Sequence, residues 1–408
     1  MMNRRELAKT MLGAGIGLSL GMGTIAAHAE DAKPIRVGIT VSNSGSFALA
    51  SQSGERGVRI WVDDVNRRGG IELDGQKRPV ELIALDDRSD KQMVPRVYET
   101  LINKEAVDVL IAPFGSTLTG AAASIAERSN KFMISWSASS DSIFDQGYKN
   151  LVSAVVPASM IPETNLKLMK ELGIKKVAIA YVDEPFPASL AEAALKSAEE
   201  MGFEVVVNEK YHKGTKDFSV ILQKAQALGA EAFYPLTYEV DSVLMVKQMK
   251  ELDVSFNYIY MMYASTPQFL ELGKDALYIT SHTQYHPNVK WDITDGLQND
   301  AFVARYKELF PSVSYPEDFQ TVLAYGAGVV LERLIQSAQS MEPADLKKTA
   351  LDLSNKITTL SGNFAIDESG KQTGMASIVL QNQPEKGLVP VAPSEVASEA
   401  VIYPIPKD

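Results

Sequence analysis

Residues 114 to 127 read FGSTLTGAAASIAE, with Gly115 and Gly120 five apart after an apolar run and before a helix-like segment. Three chemistries use such a loop: it can hold a phosphate, carry an acyl-transfer nucleophile, or grip a small carboxylate. A phosphate loop follows its second glycine with lysine and then serine or threonine, because the lysine meets the β and γ phosphates and the hydroxyl meets magnesium. Those positions here are Ala121 and Ala122, which argues against a nucleotide. A hydrolase of the α/β class needs its serine on a G-x-S-x-G elbow, with an acid and a histidine later in the chain. Residues 30–408 contain no such elbow, and only His212, His282 and His286 remain to serve as base. Cysteine is absent altogether, so thiolate nucleophiles, thiolate metal sites and disulfides are excluded.

His282 and His286 lie four apart in SHTQYHP, a spacing that would bind metal from one face of a helix. The flanking ALYITSHTQYHP is strand-like and ends at proline, so a loop or interdomain position is expected rather than a metal site. The carboxylate reading needs the fewest parts. Gly115 turns the backbone, Ser116 or Thr117 caps the following helix, and the free N–H groups of its first turn face outward at the positive end of the dipole. Such an end binds a carboxylate without lysine. A second hydroxyl-rich loop, ISWSASSDS, carries Ser135, Ser137, Ser139 and Ser140 beside Trp136. Two adjacent strands ending in such loops make one polar site with an aromatic wall. No enzyme activity, cofactor or metal is expected.

The elements that must position these loops alternate. IRVGITV (35–41) is nearly continuous in apolar residues, as in strands covered on both faces of a parallel sheet. A helix follows, with Val58, Trp61, Val62 and Val65 at i, i+3, i+4 and i+7. VELIALD (80–86), a helix at 90–104, VDVLIAP (107–113), the helix opening at Gly115 and FMISW (132–136) continue the pattern. It resumes with helix 160–172, strand KVAIAYV (176–182), helix 187–201, strand FEVVVNE (203–209), helix 217–228, EAFYPL (231–236), helix 240–252, FNYIYMM (256–262) and ALYITS (276–281). Repeated strand-helix units predict a doubly wound parallel sheet in each of two domains. Helices at 298–309, 318–339 and 343–354 and a hairpin at 361–374 then return to pack on the earlier sheets.

The first thirty residues read differently. Arg4-Arg5 precedes an apolar, glycine-rich stretch from Met11 to Ala27 and a small-residue site, Ala27-His28-Ala29, the pattern of a twin-arginine-like export signal cleaved near Ala29. Removal of Arg4, Arg5, Lys9 and Glu6 from the 40 basic and 51 acidic residues leaves 37 against 50, a net charge of about −13. That acidity opposes nucleic-acid binding, which demands a basic face. The 379 remaining residues suit two domains.

The stretches VGITVSNSGSFA, GVRIWVDDVNRRGGI, LDDRSDKQMVPRVYETLINKEAVDVLIAPFGS, VAIAYVDEPF and FAIDESGKQTG, in that order, resemble the periplasmic leucine/isoleucine/valine-binding protein family over nearly all the mature chain. The resemblance implies a type I periplasmic binding fold, that is, two doubly wound α/β lobes joined by a three-stranded hinge. It implies lobes at 33–153 plus 284–374 and at 154–283 plus 375–408, periplasmic location, a monomer, and delivery of a small carboxylate to an ABC permease in the inner membrane. A ligand-sensing protein of the same fold is the alternative. The family's carboxylate-gripping positions fall on Ser116, with Thr117 next to it, and on Ser137 and Ser139, all hydroxyl-bearing. The other half of the site departs from the pattern. Two tyrosine positions fall on Ala50 and Phe186, the acid that pairs with a ligand ammonium falls on Tyr263, and the aromatic after EAFYPL falls on or next to Thr237 and Tyr238. The partners of the family's frequent disulfide fall on Ser89 and Gly115. With Trp136 retained, these changes point to a roomier, less charged pocket for a carboxylate that needs no α-amino group. An aromatic or branched-chain acid fits that description; the competing ligand is an ordinary hydrophobic amino acid, for which Asp183, Glu184, Glu239 or Asp241 would supply the missing charge.

Overall fold

The computed structural model describes residues 33–406; the expected export signal lies outside the described residues. The run IRVGITV forms strand Ile35–Val41 with six of its seven residues buried, so it has to lie inside a sheet covered on both faces. It does so. The first sheet runs Val80–Asp86, Ile35–Val41, Val109–Ile111, Met133–Ser135, Leu151–Ser153, all parallel. Strand order therefore reverses between Ile35–Val41 and Val109–Ile111, the place where open sheets of this kind bind ligands beyond their carboxyl ends. The residues just past those two ends include Phe47 and Phe114.

The second sheet runs Tyr258–Ile259, Ala232–Leu236, Lys176–Val182, Glu204–Tyr211, again parallel. Its reversal lies between Lys176–Val182 and Ala232–Leu236, whose following loops carry Glu184 and Tyr238. The chain passes from the first sheet to the second after Ser153 and, past Tyr258–Ile259, enters a separate three-stranded sheet at Thr280–Thr283, which a single Tyr260–Thr280 bridge ties to the second. The chain returns to this small sheet at Ile378–Gln383, which pairs antiparallel with Thr280–Thr283 and with Gly387–Ala392.

The late helices pack on the first sheet as expected. Helix Phe319–Ser337 is buried along most of its length and lies against helix Ala48–Arg67. Two glycines set that approach: a Cβ on Gly57 would stand 2.0 Å from the Thr321 carbonyl oxygen, and one on Gly328 would stand 2.5 Å from the Trp61 ring. The helix start is fixed by Asp318, whose carboxylate accepts from Thr321 N–H at 2.8 Å and from Ser53 Oγ at 2.7 Å. Phe319 and Gln320 are thereby held at the sheet edge.

Two expectations change. ALYITS does not begin a strand at 276, because Gly273–Ala276 is a 3-10 turn and Tyr278 takes the left-handed conformation (φ 66°); the strand is Thr280–Thr283. The stretch 361–374 is not one hairpin. Gly362–Phe364 pairs back with Ile357–Thr359, and the Glu-Ser-Gly turn closes only the Ile366–Gln372 bridge. The Gln372 side chain takes the place of further ladder bonds by accepting from Ala365 N–H (3.0 Å) and Gly374 N–H (2.7 Å).

Candidate functional site

The opening loop turns at Gly115, where φ is 77°, a conformation that a Cβ opposes. The same φ disfavours the cysteine that the resemblance would place there. Ser89, its implied partner, accepts from Phe47 N–H at 3.1 Å and donates to the Ser44 carbonyl at 2.7 Å, so it holds the Phe47 loop without a disulfide.

Neither Ser116 nor Thr117 caps helix Gly115–Arg128 with its side chain. The capping hydroxyl comes from the neighbouring loop: Ser137 Oγ accepts from Gly115 N–H at 2.9 Å. With Gly115 already inside the helix, Ser116 and Thr117 sit in its first turn rather than ahead of it. Ser116 Oγ accepts from Ser140 N–H at 3.0 Å, while Ser140 Oγ lies 2.7 Å from Ser189 Oγ and donates to the Pro185 carbonyl at 3.1 Å. The two hydroxyl loops are thus bound to each other and to helix Pro185–Met201. Thr117 Oγ1 donates to Glu184 Oε2 at 2.5 Å.

Trp136 is buried, its Nε1 donating to the Ala112 carbonyl at 3.1 Å. Gly54 makes room for the ring, since a Cβ there would lie 2.1 Å from its Cη2. Rings from both sheets then meet in a continuous wall. Phe114 lies 5.7 Å from both Trp136 and Phe47; Phe47 lies 5.4 Å from Tyr238; Tyr238 lies 6.3 Å from Phe186 and 6.2 Å from Tyr263; and Tyr263 lies 6.2 Å from Phe319.

Two cavities adjoin this wall, and a third shares Ala50, Glu239 and Gln320 with the second of them. One of about 30 Å³ is lined by Trp136, Ser137, Ser139, Phe186 and Tyr263, together with Phe319, Gln320, His282 and Gln284. A second, of about 80 Å³, is lined by Ala50, Tyr238, Glu239 and Tyr263 and shares Phe114, Tyr263 and Gln320 with the first. The third, of about 270 Å³, lies between Ala50, Glu239, Glu271, Asp318 and Gln320. The expected residues Ala50, Trp136, Ser137, Ser139, Phe186, Tyr238 and Tyr263 therefore face connected space. Ser116 and Thr117 line none of the three cavities; their hydroxyls join protein to protein.

The four acids separate just as clearly. Asp183 pairs with Lys210 at 3.2 Å, and Glu184 with Lys213 at 3.0 Å. Asp241 accepts from the Tyr211 hydroxyl and Thr237 Oγ1, each at 3.0 Å. Glu239 alone of the four lines the cavities, accepting a hydrogen bond from Thr266 Oγ1. Burial pushes its carboxyl up to about 7, with Asp318 and Glu271 adding repulsion. His282 and His286 do not converge: His282 Nδ1 meets Ser377 Oγ at 2.8 Å and His286 Nε2 meets the Leu388 carbonyl at 3.0 Å. Among the described residues no group of three metal-ligating side chains occurs.

Sequence reasoning missed Phe47, Phe319, Gln320 and Gln284 and gave His282 no role in the cleft. Phe47 and Phe319 had a signal, an isolated aromatic just past a buried strand or at a capped helix start. Gln320 and Gln284 had none.

The family model for periplasmic binding proteins matches residues 34–387. The chain belongs to the periplasmic binding protein family. Within that family it is similar to a Leu/Ile/Val-binding protein homolog of Brucella suis, 26% identical over 398 residues that cover 93% of this chain and 96% of the relative. The fold is shared with a leucine-binding protein of Thermotoga maritima (TM-score 0.75, 22% identity, 88% of this chain and 98% of that one). It is shared equally with a solute-binding protein of R. palustris in complex with benzoate (TM-score 0.74, 20% identity, 90% and 99%). The type I architecture implied by the resemblance is therefore present, and no described helix is long and apolar enough to cross a membrane.

Proposed function

We propose that this chain is an exported solute receptor that closes on a small carboxylate lacking an α-amino group, an aryl or branched-chain acid, and delivers it to an ABC permease. The observation that carries this reading is the composition of the 30 Å³ cavity: Ser137 and Ser139 from one sheet face Phe186 and Tyr263 from the other, with Trp136 alongside and no acid in the lining. An ammonium placed there would be buried without a counter-charge, at a cost of several kcal/mol. Closure excludes water and strengthens every polar contact to the carboxylate. Residues 33–153 plus 284–374 would form one lobe and 154–283 plus 375–408 the other, with the crossings as hinge. The R. palustris relative, solved with benzoate, supports the aryl-acid reading.

One observation favours a second reading. Glu239 faces the adjoining cavities with a carboxyl destabilised by burial, and the ammonium of a hydrophobic amino acid would relieve it. The leucine-binding relative agrees with that. Calorimetry with leucine, benzoate and phenylacetate separates the two. The first reading expects the aryl acids to bind and leucine to bind far more weakly. Tight leucine binding with neither aryl acid would overturn it.

A further inference from the structure

His282 lies on strand Thr280–Thr283, is 1% exposed, and lines the same cavity as Ser137 and Ser139. Its Nδ1 is taken by Ser377 Oγ at 2.8 Å. Its Nε2 is buried and has no partner among the described residues. Burial holds the ring's pKa down at about 3, so the imidazole is neutral and offers one donor and one acceptor. A buried nitrogen that has lost water and found no partner is costly, and a polar group must reach it when the cleft is filled. Gln284, two residues on and 2% exposed, lines the cavity as well. Its Oε1 accepts from Val156 N–H at 3.0 Å, which leaves the amide NH2 as a donor. The slot walled by Phe114, Trp136, Phe186 and Phe319 thus has a polar patch in addition to its serines.

We propose that His282 is a specificity-determining residue whose Nε2, with the Gln284 amide nearby, hydrogen-bonds a hydroxyl on the ring of an aryl carboxylate. This rests on the carboxylate reading above. A hydroxyl both donates and accepts, so it pairs with Nε2 in either tautomer. A second carboxylate does not suit the patch, because a neutral imidazole supplies no charge to balance it. The competing occupant is one water, which a polar cavity of about 30 Å³ is large enough to hold.

The test is calorimetry on the full mature chain with benzoate, 3-hydroxybenzoate, 4-hydroxybenzoate and leucine. At least one hydroxybenzoate should bind about tenfold more tightly than benzoate, equivalent to about 1.4 kcal/mol. In His282→Phe that preference should disappear, the hydroxybenzoate and benzoate affinities of the variant differing by less than about threefold, below the tenfold step, and His282→Gln, which retains a polar end, should keep part of it. Thermal melts establish that both variants fold, and His282→Gln carries the test if the phenylalanine variant does not. No hydroxyl preference in the wild type, or a preference that survives His282→Phe, overturns the proposal and identifies the occupant as water. Leucine binding with none of the three aryl acids overturns it and leaves a carboxylate-binding cleft; binding of none of the four ligands removes the carboxylate reading too.

Discussion

Thr117 and Glu184 join the two sheets across the cleft: the threonine hydroxyl of helix Gly115–Arg128 donates at 2.5 Å to the carboxylate that precedes helix Pro185–Met201. Lys213 holds the same carboxylate from its other side at 3.0 Å. The hydroxyl expected to grip the ligand is here engaged with a carboxylate of the other sheet's loop, and we propose that this bond latches the closed form. Hydrogen bonds to charged groups contribute about 1.5–3 kcal/mol, so Thr117→Val should destabilise closure rather than remove a ligand contact. The expected result is a several-fold loss of affinity for every ligand alike, with a larger radius of gyration for the liganded protein in X-ray scattering. A loss confined to one ligand, with unchanged scattering, would return Thr117 to the binding surface.

Ser137 and Ser139 are two and four residues past the end of strand Met133–Ser135 and act differently. Ser137 Oγ caps the Gly115 helix, and removal of a helix cap costs about 1 kcal/mol. Ser137→Ala should therefore lower Tm even without ligand. Ser139 lines the cavity, and no part of the helix cap depends on it. Ser139→Ala should leave Tm within error and weaken carboxylate binding by roughly 1 to 3 kcal/mol. Equal Tm losses in the two variants would contradict this division.

Gly54 and Trp136 form a packing pair in which the glycine has no room for a side chain. Overpacking of this kind costs about 1–3 kcal/mol. Gly54→Ala should lower stability by that order and push the indole toward the cavity. A weakened ligand affinity together with a changed tryptophan emission is the expected pair of readouts. An unshifted emission spectrum would mean that the helix backbone, and not the ring, gives way.

Much of this was legible in the chain. IRVGITV and KVAIAYV form the strands their apolar runs predict, and Gly115 makes the turn its position demands. The aromatic and serine residues beyond the strand ends could be placed because parallel sheets bring those ends to one edge. What escaped was pairing between loops. Ser137 caps a helix 22 residues earlier, and Thr117 reaches an acid 67 residues later; a propensity for capping says nothing about which hydroxyl arrives first. Gln320 escaped for a related reason. It lies at the start of a helix whose apolar pattern gives no hint that its first turn faces a cleft.

Glu239 provides a pH-dependent signature. Its folded pKa, raised from the ordinary 4.5 to about 7 by burial and by Asp318 and Glu271, means that the folded state holds a proton the unfolded chain has released over that window. Stability therefore falls as pH rises from about 4.5 through about 7. Glu239→Gln removes this dependence, so between pH 5 and pH 8, conditions that bracket the titration, the variant's Tm should change less than that of the wild type. The same group distinguishes the ligand classes. An ammonium seated beside Glu239 would lower its pKa and expel the proton on binding at neutral pH, whereas an aryl carboxylate that stays among Ser137, Ser139 and Trp136 would not. Binding enthalpies measured in buffers of different ionisation heat report that proton directly. Buffer-independent enthalpy for a tightly bound aryl acid fits the preferred ligand; proton release on leucine binding, lost in Glu239→Gln, assigns the site to an amino acid.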